Sequence, residues 1–143
     1  MMDRSIFADT GYWIALNINS DDLHTVAVNL TRQYVGSEII TSQMVLTEFL
    51  NDLGSRTEQT RIAASQFVRK LSRQSNIVVV PQSDELFDEA LGLFESRPDK
   101  GWSMTDCASF AICKRQGITE ALAYDKHFEQ AGIRPLMRQS KLG

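Results

Sequence analysis

The chain has 143 residues, enough for one domain with one hydrophobic core. Its 43% hydrophobic and 23% charged content is globular, and no stretch approaches the roughly 18 uninterrupted apolar residues of a membrane span. A net charge of -3 argues against a protein that holds nucleic acid by a broad basic face. It does not exclude a nuclease, because bound divalent cations would bring positive charge to the site itself.

The opening "MMDRSIFADT" carries acid where a signal peptide would carry an apolar stretch, so a cytoplasmic protein is expected. Residues 5–9, "SIFAD", read as a strand and 10–18, "TGYWIALNI", as a helix. Tyr12 and Trp13 on that helix are core or partner-binding aromatics rather than base-stacking platforms. A second helix carries Leu23, Val26, Ala27, Leu30 and Tyr34 and ends near Gly36. The strand "EIITS" (38–42) follows, then the helix "QMVLTEFLNDLG", with Val45, Leu46, Phe49, Leu50 and Leu53 on one stripe. Residues 57–74 form a longer helix, expected to turn Ile62, Ala63, Phe67, Val68 and Leu71 inward.

"NIVVVP" (76–81) has the β-branched run of a buried parallel strand stopped by proline. An amphipathic helix (83–95), a loop "RPDKGW" and a helix from 103 to 116 closing at Gly117 come next. A strand "EALAY" (120–124), a short helix "KHFEQ" and a strand "IRPL" (133–136) complete the order. Strands alternating with helices specify an α/β fold with a mostly parallel sheet of about five strands and right-handed crossovers.

Within "SMTDCASFAIC" (103–113), Asp106 is the one charge on a helix that is apolar almost all round. A buried carboxylate needs a partner. Ser103 and Asp106 have capping-box spacing, so a helix cap is one reading and a metal ligand another. Cys107 and Cys113 lie about 120° apart on the helix and about 9 Å along it, so they cannot bridge within it. They read as small buried thiols.

In an open parallel sheet, ligands bind beyond the carboxyl ends of the strands. Asp9 ends the first strand and Asp125 follows "EALAY", although each also suits the N-cap of the helix after it. Glu48 flanks the apolar stripe of its helix, and Asp52 four residues on is a like charge that wants a cation or a basic neighbour. Carboxylates meeting at one edge without convergent histidines or thiols make a hard-oxygen site for Mg²⁺ or Mn²⁺. Such ions activate water for phosphodiester hydrolysis.

Four segments in order, "FADTGYW", "VLTEFL", "WSMTDCASF" and "AYDKHFEQAGI", resemble the PIN-domain ribonucleases, most closely the VapC-like toxins of toxin–antitoxin pairs. The resemblance covers nearly the whole chain and implies a single three-layer α/β/α domain over 1–143. It implies that Asp9, Glu48, Asp106 and Asp125 are catalytic ligands of one or two Mg²⁺ ions, supported by the hydroxyls of Thr10 and Ser103. The implied activity is cleavage of single-stranded RNA by metal-activated water, leaving a 5′-phosphate and a 3′-hydroxyl. A small antitoxin partner and a homodimer are implied with it. Ala123 departs from the threonine common two residues before the last aspartate, which removes a supporting hydrogen bond.

Asp99, in a loop marked by Pro98 and Gly101, is a further acid near this edge, and Lys100, Lys126 and His127 read first as ordinary surface of short exposed loops, with neutralisation of an RNA phosphate as the alternative. Arg134, Arg138 and Lys141 near the end read as a solvated end, with a modest contribution to an RNA path as the alternative. The competing function is a non-catalytic module that keeps the fold to bind RNA or a protein. A receiver domain is disfavoured because Asp9 stands without an acidic neighbour and "IRPL" offers no lysine.

Overall fold

The structure, a computed structural model, describes residues 4–138. Its elements follow the expected order: β1 (Ser5–Ala8), α1 (Thr10–Asn17), α2 (His24–Gln33), β2 (Glu38–Ser42), α3 (Gln43–Gly54), α4 (Glu58–Leu71), β3 (Ile77–Val80), α5 (Asp84–Ser96), α6 (Met104–Gln116), β4 (Glu120–Leu122), α7 (Lys126–Gln130) and β5 (Arg134–Pro135). All pairings are parallel, and the strand order is β3-β2-β1-β4-β5. With right-handed crossovers, the general rule for parallel strands, this order places α1 to α4 on one face and α5 to α7 on the other. The packing of α1 on α2 and α3, of α3 on α4, and of α6 on α5 and α7 fits that division.

The core gathers Phe7, Ile6, Ile40 and Leu122 from the sheet, Leu30, Val45 and Phe49 from one helical layer, and Leu86, Ile112 and Phe128 from the other. Tyr12 and Trp13 belong to this core and offer no partner surface. The Tyr12 hydroxyl lies 2.6 Å from Thr31 Oγ1, and Trp13 Nε1–H donates to Thr41 Oγ1 at 3.2 Å. The Thr41 hydroxyl in turn donates to the Ala8 carbonyl, so these buried polar groups are satisfied.

Two sequence expectations change. β3 is an edge strand with Val78 38% exposed, because the chain reverses its direction of travel across the sheet after β3 and, among the described residues, lays no further strand beside it. On α4, Ile62 (58% exposed) and Ala63 face outward, while Ala64, Phe67, Val68 and Leu71 pack inward. The inward set follows the spacing i, i+3, i+4, i+7, which is the stripe one packed neighbour needs. That neighbour is α3.

α6 is buried from Thr105 to Cys113, as its all-round apolar pattern requires. It is capped at both ends: Ser103 and Asp106 form a capping box, and Gly117 ends the helix at φ 66°. The Ile118 amide then reaches back to the Cys113 carbonyl at 2.9 Å. Among the described residues, no helix is long and apolar enough to cross a membrane.

Candidate active site at the sheet edge

From β1 the chain moves outward through β2 to β3, then returns to lay β4 on the other side of β1. The gap between the carboxyl ends of β1 and β4 is therefore the switch point at which open parallel sheets bind ligands. Asp9 and Asp125 flank it. The two strands pair directly, and the Asp9 amide donates to the Leu122 carbonyl at 3.1 Å.

Asp9 holds the N-cap position of α1 but makes no side-chain cap hydrogen bond. Its carboxyl is pushed up to about 7 from an ordinary value of 3.8, first by burial and then by the negative charges of Asp106, Glu48 and Asp125. The nearby Thr10 amide pulls the other way. The other three acids thus act on Asp9 across the fold, although α3, α6 and the β4 to α7 turn carry them separately.

Glu48 is exposed on α3 and held by the Thr10 hydroxyl, which donates to its Oε1 at 2.8 Å. Asp52 finds its basic neighbour in Arg56, at 2.8 Å. Asp106 is buried, and its Oδ2 accepts from the Ser103 amide at 3.0 Å while its own amide donates to Ser103 Oγ. The cap does not exhaust this carboxylate, because His127 Nδ1 also lies 2.9 Å from Oδ2. Asp125 accepts from the His127 amide at 2.9 Å and caps α7. Asp106 and Asp125 are therefore caps as well as members of the cluster.

The expectation of a site without histidine is overturned. His127 Nδ1 is also 3.4 Å from Asp125 Oδ1, and Asp106, Asp125 and His127 present ligand atoms within 4.8 Å of one another. In the sequence His127 reads as a surface cation or a contact for an RNA phosphate, with nothing to mark it as a neighbour of the acids. The missed signal is its place two residues after Asp125 in the first turn of a short helix, which folds the ring back over the turn. Asp99 is not brought in: it is exposed, bonded to Arg97 at 3.2 Å and 3.8 Å from Lys100, and the Arg97 guanidinium holds its carboxyl below the usual range.

Neither cysteine joins the cluster as a thiolate donor. Burial pushes the Cys113 thiol up to about 12 and raises that of Cys107. Ala123 is fully buried, with its carbonyl accepting from the Met137 amide. Beside the acids a groove is lined by Asp9, Tyr124 and Asp125 together with Arg56, Lys126 and Arg138. The Arg138 guanidinium stacks 4.9 Å from the Tyr124 ring centre and donates to its carbonyl. It is thus an ordered side chain of the groove rather than a solvated end. Arg134 pairs with Glu120 at 3.3 Å, and Lys141 lies outside the described residues.

Carboxylate oxygens gathered in this way could hold a divalent cation. The profile of the PIN domain family matches residues 6–133. The chain belongs to the PIN-domain family. Within it, this PIN domain is 30% identical over 129 residues to VapC20 of Mycobacterium tuberculosis, a 23S rRNA-specific endonuclease, covering 90% of this chain and 95% of the relative. The crystal structure of VapC20, described as a sarcin-ricin loop cleaving toxin, superposes with a TM-score of 0.80 at 27% identity, again over 90% and 95% of the two chains. FitAcB from Neisseria gonorrhoeae shares the fold at a TM-score of 0.63 and 11% identity, over 91% of this chain and 95% of that one. PAE2754 from Pyrobaculum aerophilum does so at 0.61 and 13%, over 98% and 97%.

Proposed function

We propose that this PIN domain is a Mg²⁺- or Mn²⁺-dependent endoribonuclease acting on single-stranded RNA, and the toxin of a toxin–antitoxin pair. Its catalytic and metal-holding residues are Asp9, Glu48, Asp106 and Asp125, supported by Thr10 and Ser103. The observation that supports this reading is the gathering of Asp106 and Asp125 with His127 beside the β1/β4 switch point, next to a buried Asp9 whose carboxyl is raised first by burial and then by the charges of Asp106, Glu48 and Asp125. A divalent ion held there would activate water and offset charge on the scissile phosphodiester. The protein's own contribution is positioning. Thr10 fixes Glu48, the Ser103 amide fixes Asp106 Oδ2, and the α7 cap fixes Asp125.

The groove beside the acids supports an RNA path, with Lys126, Arg138 and Arg56 facing phosphates and Tyr124 offering a ring face to a base. Protein partners also belong to the proposal. An apolar cleft of about 820 Å³, lined by Met44, Leu46, Leu50, Val68 and Val79, opens beside Glu48 and suits an antitoxin segment that covers the acids. The exposed stripe of Phe87, Leu91 and Phe94 on α5 offers apolar surface for a homodimer.

The test is cleavage of single-stranded RNA by purified protein in Mg²⁺, in EDTA, and with Asp106→Asn. Cutting should need the metal and fall at least about 100-fold in the variant, the loss typical of removing one positioned charge. Activity undiminished by EDTA would sink the metal reading. RNA binding without cutting under every condition would favour the non-catalytic module. A small protein from the adjacent gene should copurify and suppress cleavage. If its co-expression changes neither cleavage nor growth arrest, the toxin–antitoxin reading fails.

A further inference from the structure

We infer that His127 is itself a metal ligand through Nδ1, which makes the site a mixed nitrogen and oxygen site that prefers Mn²⁺ to Mg²⁺. The inference rests on the proposed metal-dependent site and adds to it. The ring nitrogen, an Asp106 oxygen and an Asp125 oxygen lie within 4.8 Å of one another, so one ion can touch all three. The backbone fixes the ring there, because the His127 amide is bonded to the same Asp125 carboxylate whose Oδ1 lies 3.4 Å from Nδ1. The side chain is only 22% exposed and turns toward the acids rather than toward solvent.

With its proton on Nδ1 the ring donates to Asp106 Oδ2, which lies 2.9 Å away. In the other neutral tautomer, with the proton on Nε2, the Nδ1 lone pair faces the acids and is free to take a metal ion in place of that hydrogen bond. Mg²⁺ keeps to oxygen donors and water, whereas a first-row transition ion accepts imidazole, so nitrogen ligation separates the two. A bridge that only orients Asp106 and Asp125 would affect both ions alike.

The experiment measures Mn²⁺ and Mg²⁺ binding to the wild type, His127→Ala and His127→Asn by calorimetry, with pulsed electron paramagnetic resonance of bound Mn²⁺ for nitrogen coupling. Melting curves establish that each variant is folded. The wild type should show histidine nitrogen coupling that both variants lose. Mn²⁺ affinity should fall at least about 10-fold in both, with Mg²⁺ affinity changed far less. His127→Asn keeps an N–H donor for Asp106 but has no imidazole, so restored Mn²⁺ affinity in it would reduce His127 to a positioning residue and overturn the inference. Equal losses for both ions, or no nitrogen coupling in the wild type, would do the same while leaving the nuclease reading intact. A wild type that binds neither ion would overturn both.

Discussion

Asp9 shows how one residue's surroundings set the behaviour of the whole site. Burial and three neighbouring carboxylates raise its folded-state value to about 7, against 3.8 for the free group. The protonated form is therefore favoured by folding. Its stabilising contribution is full below about pH 4 and is lost as pH rises through about 7. Asp9→Asn keeps the shape and removes the charge. In EDTA its melting temperature should exceed that of the wild type by an increasing margin from pH 5 to pH 8, reaching several degrees at the alkaline end. Added Mg²⁺ should close the gap by stabilising the wild type, since an ion that binds only the folded state raises its stability by mass action. Cleavage by the variant should nevertheless fall at least about 100-fold. A melting difference flat across the pH range would contradict the shift assigned to Asp9.

At the scale of elements, α6 separates structural from chemical demands because its two ends differ. Its N-terminus carries the Ser103 and Asp106 box, and its C-terminus ends on Gly117 at φ 66°. Ser103→Ala should cost about 1 kcal/mol in denaturant unfolding, while the backbone amide that holds Asp106 remains. Its loss of cleavage should therefore be smaller than that of Asp106→Asn. Gly117→Ala forces a β-carbon into the left-handed region and should cost roughly 1 kcal/mol, with cleavage per folded molecule unchanged. Equal activity losses in the two variants would show that α6 stability, and not the position of Asp106, limits the reaction.

Across the whole molecule, a net charge of -3 leaves RNA binding to local cations. Lys126 and Arg138 stand in the groove beside Asp9 and Asp125. Replacing either by alanine should weaken RNA binding and lower the slope of log affinity against log salt by about 0.7, one phosphate contact on a single strand. Binding measured with the cleavage-deficient Asp106→Asn protein, as salt is varied, reads this without cleavage interfering. Unchanged slopes in both variants would place the strand elsewhere.

The element order and the buried character of α6 were legible in the sequence, because each depends on local signals: hydrophobic period, β-branched runs, and glycine or proline stops. So were the places of Asp9 and Asp125 at helix N-caps and of Asp106 in the first turn of α6, whereas Glu48 lies inside α3. The sheet order was not legible. That β1 and β4 lie side by side depends on where the chain reverses after β3, which is decided by packing between residues far apart in sequence, and the same reversal left the β-branched run of β3 at an edge. The inward face of α4 likewise waited on its contact with α3, so Ile62 read as core and stands in solvent. Tyr12 and Trp13 are polar-tipped rings whose sequence could not choose between core and surface, and hydrogen bonds to Thr31 and Thr41 from other elements settled them inside. His127 carries the same lesson at the site: composition marks a histidine, but only the docking of α7 against α6 sets its ring between Asp106 and Asp125.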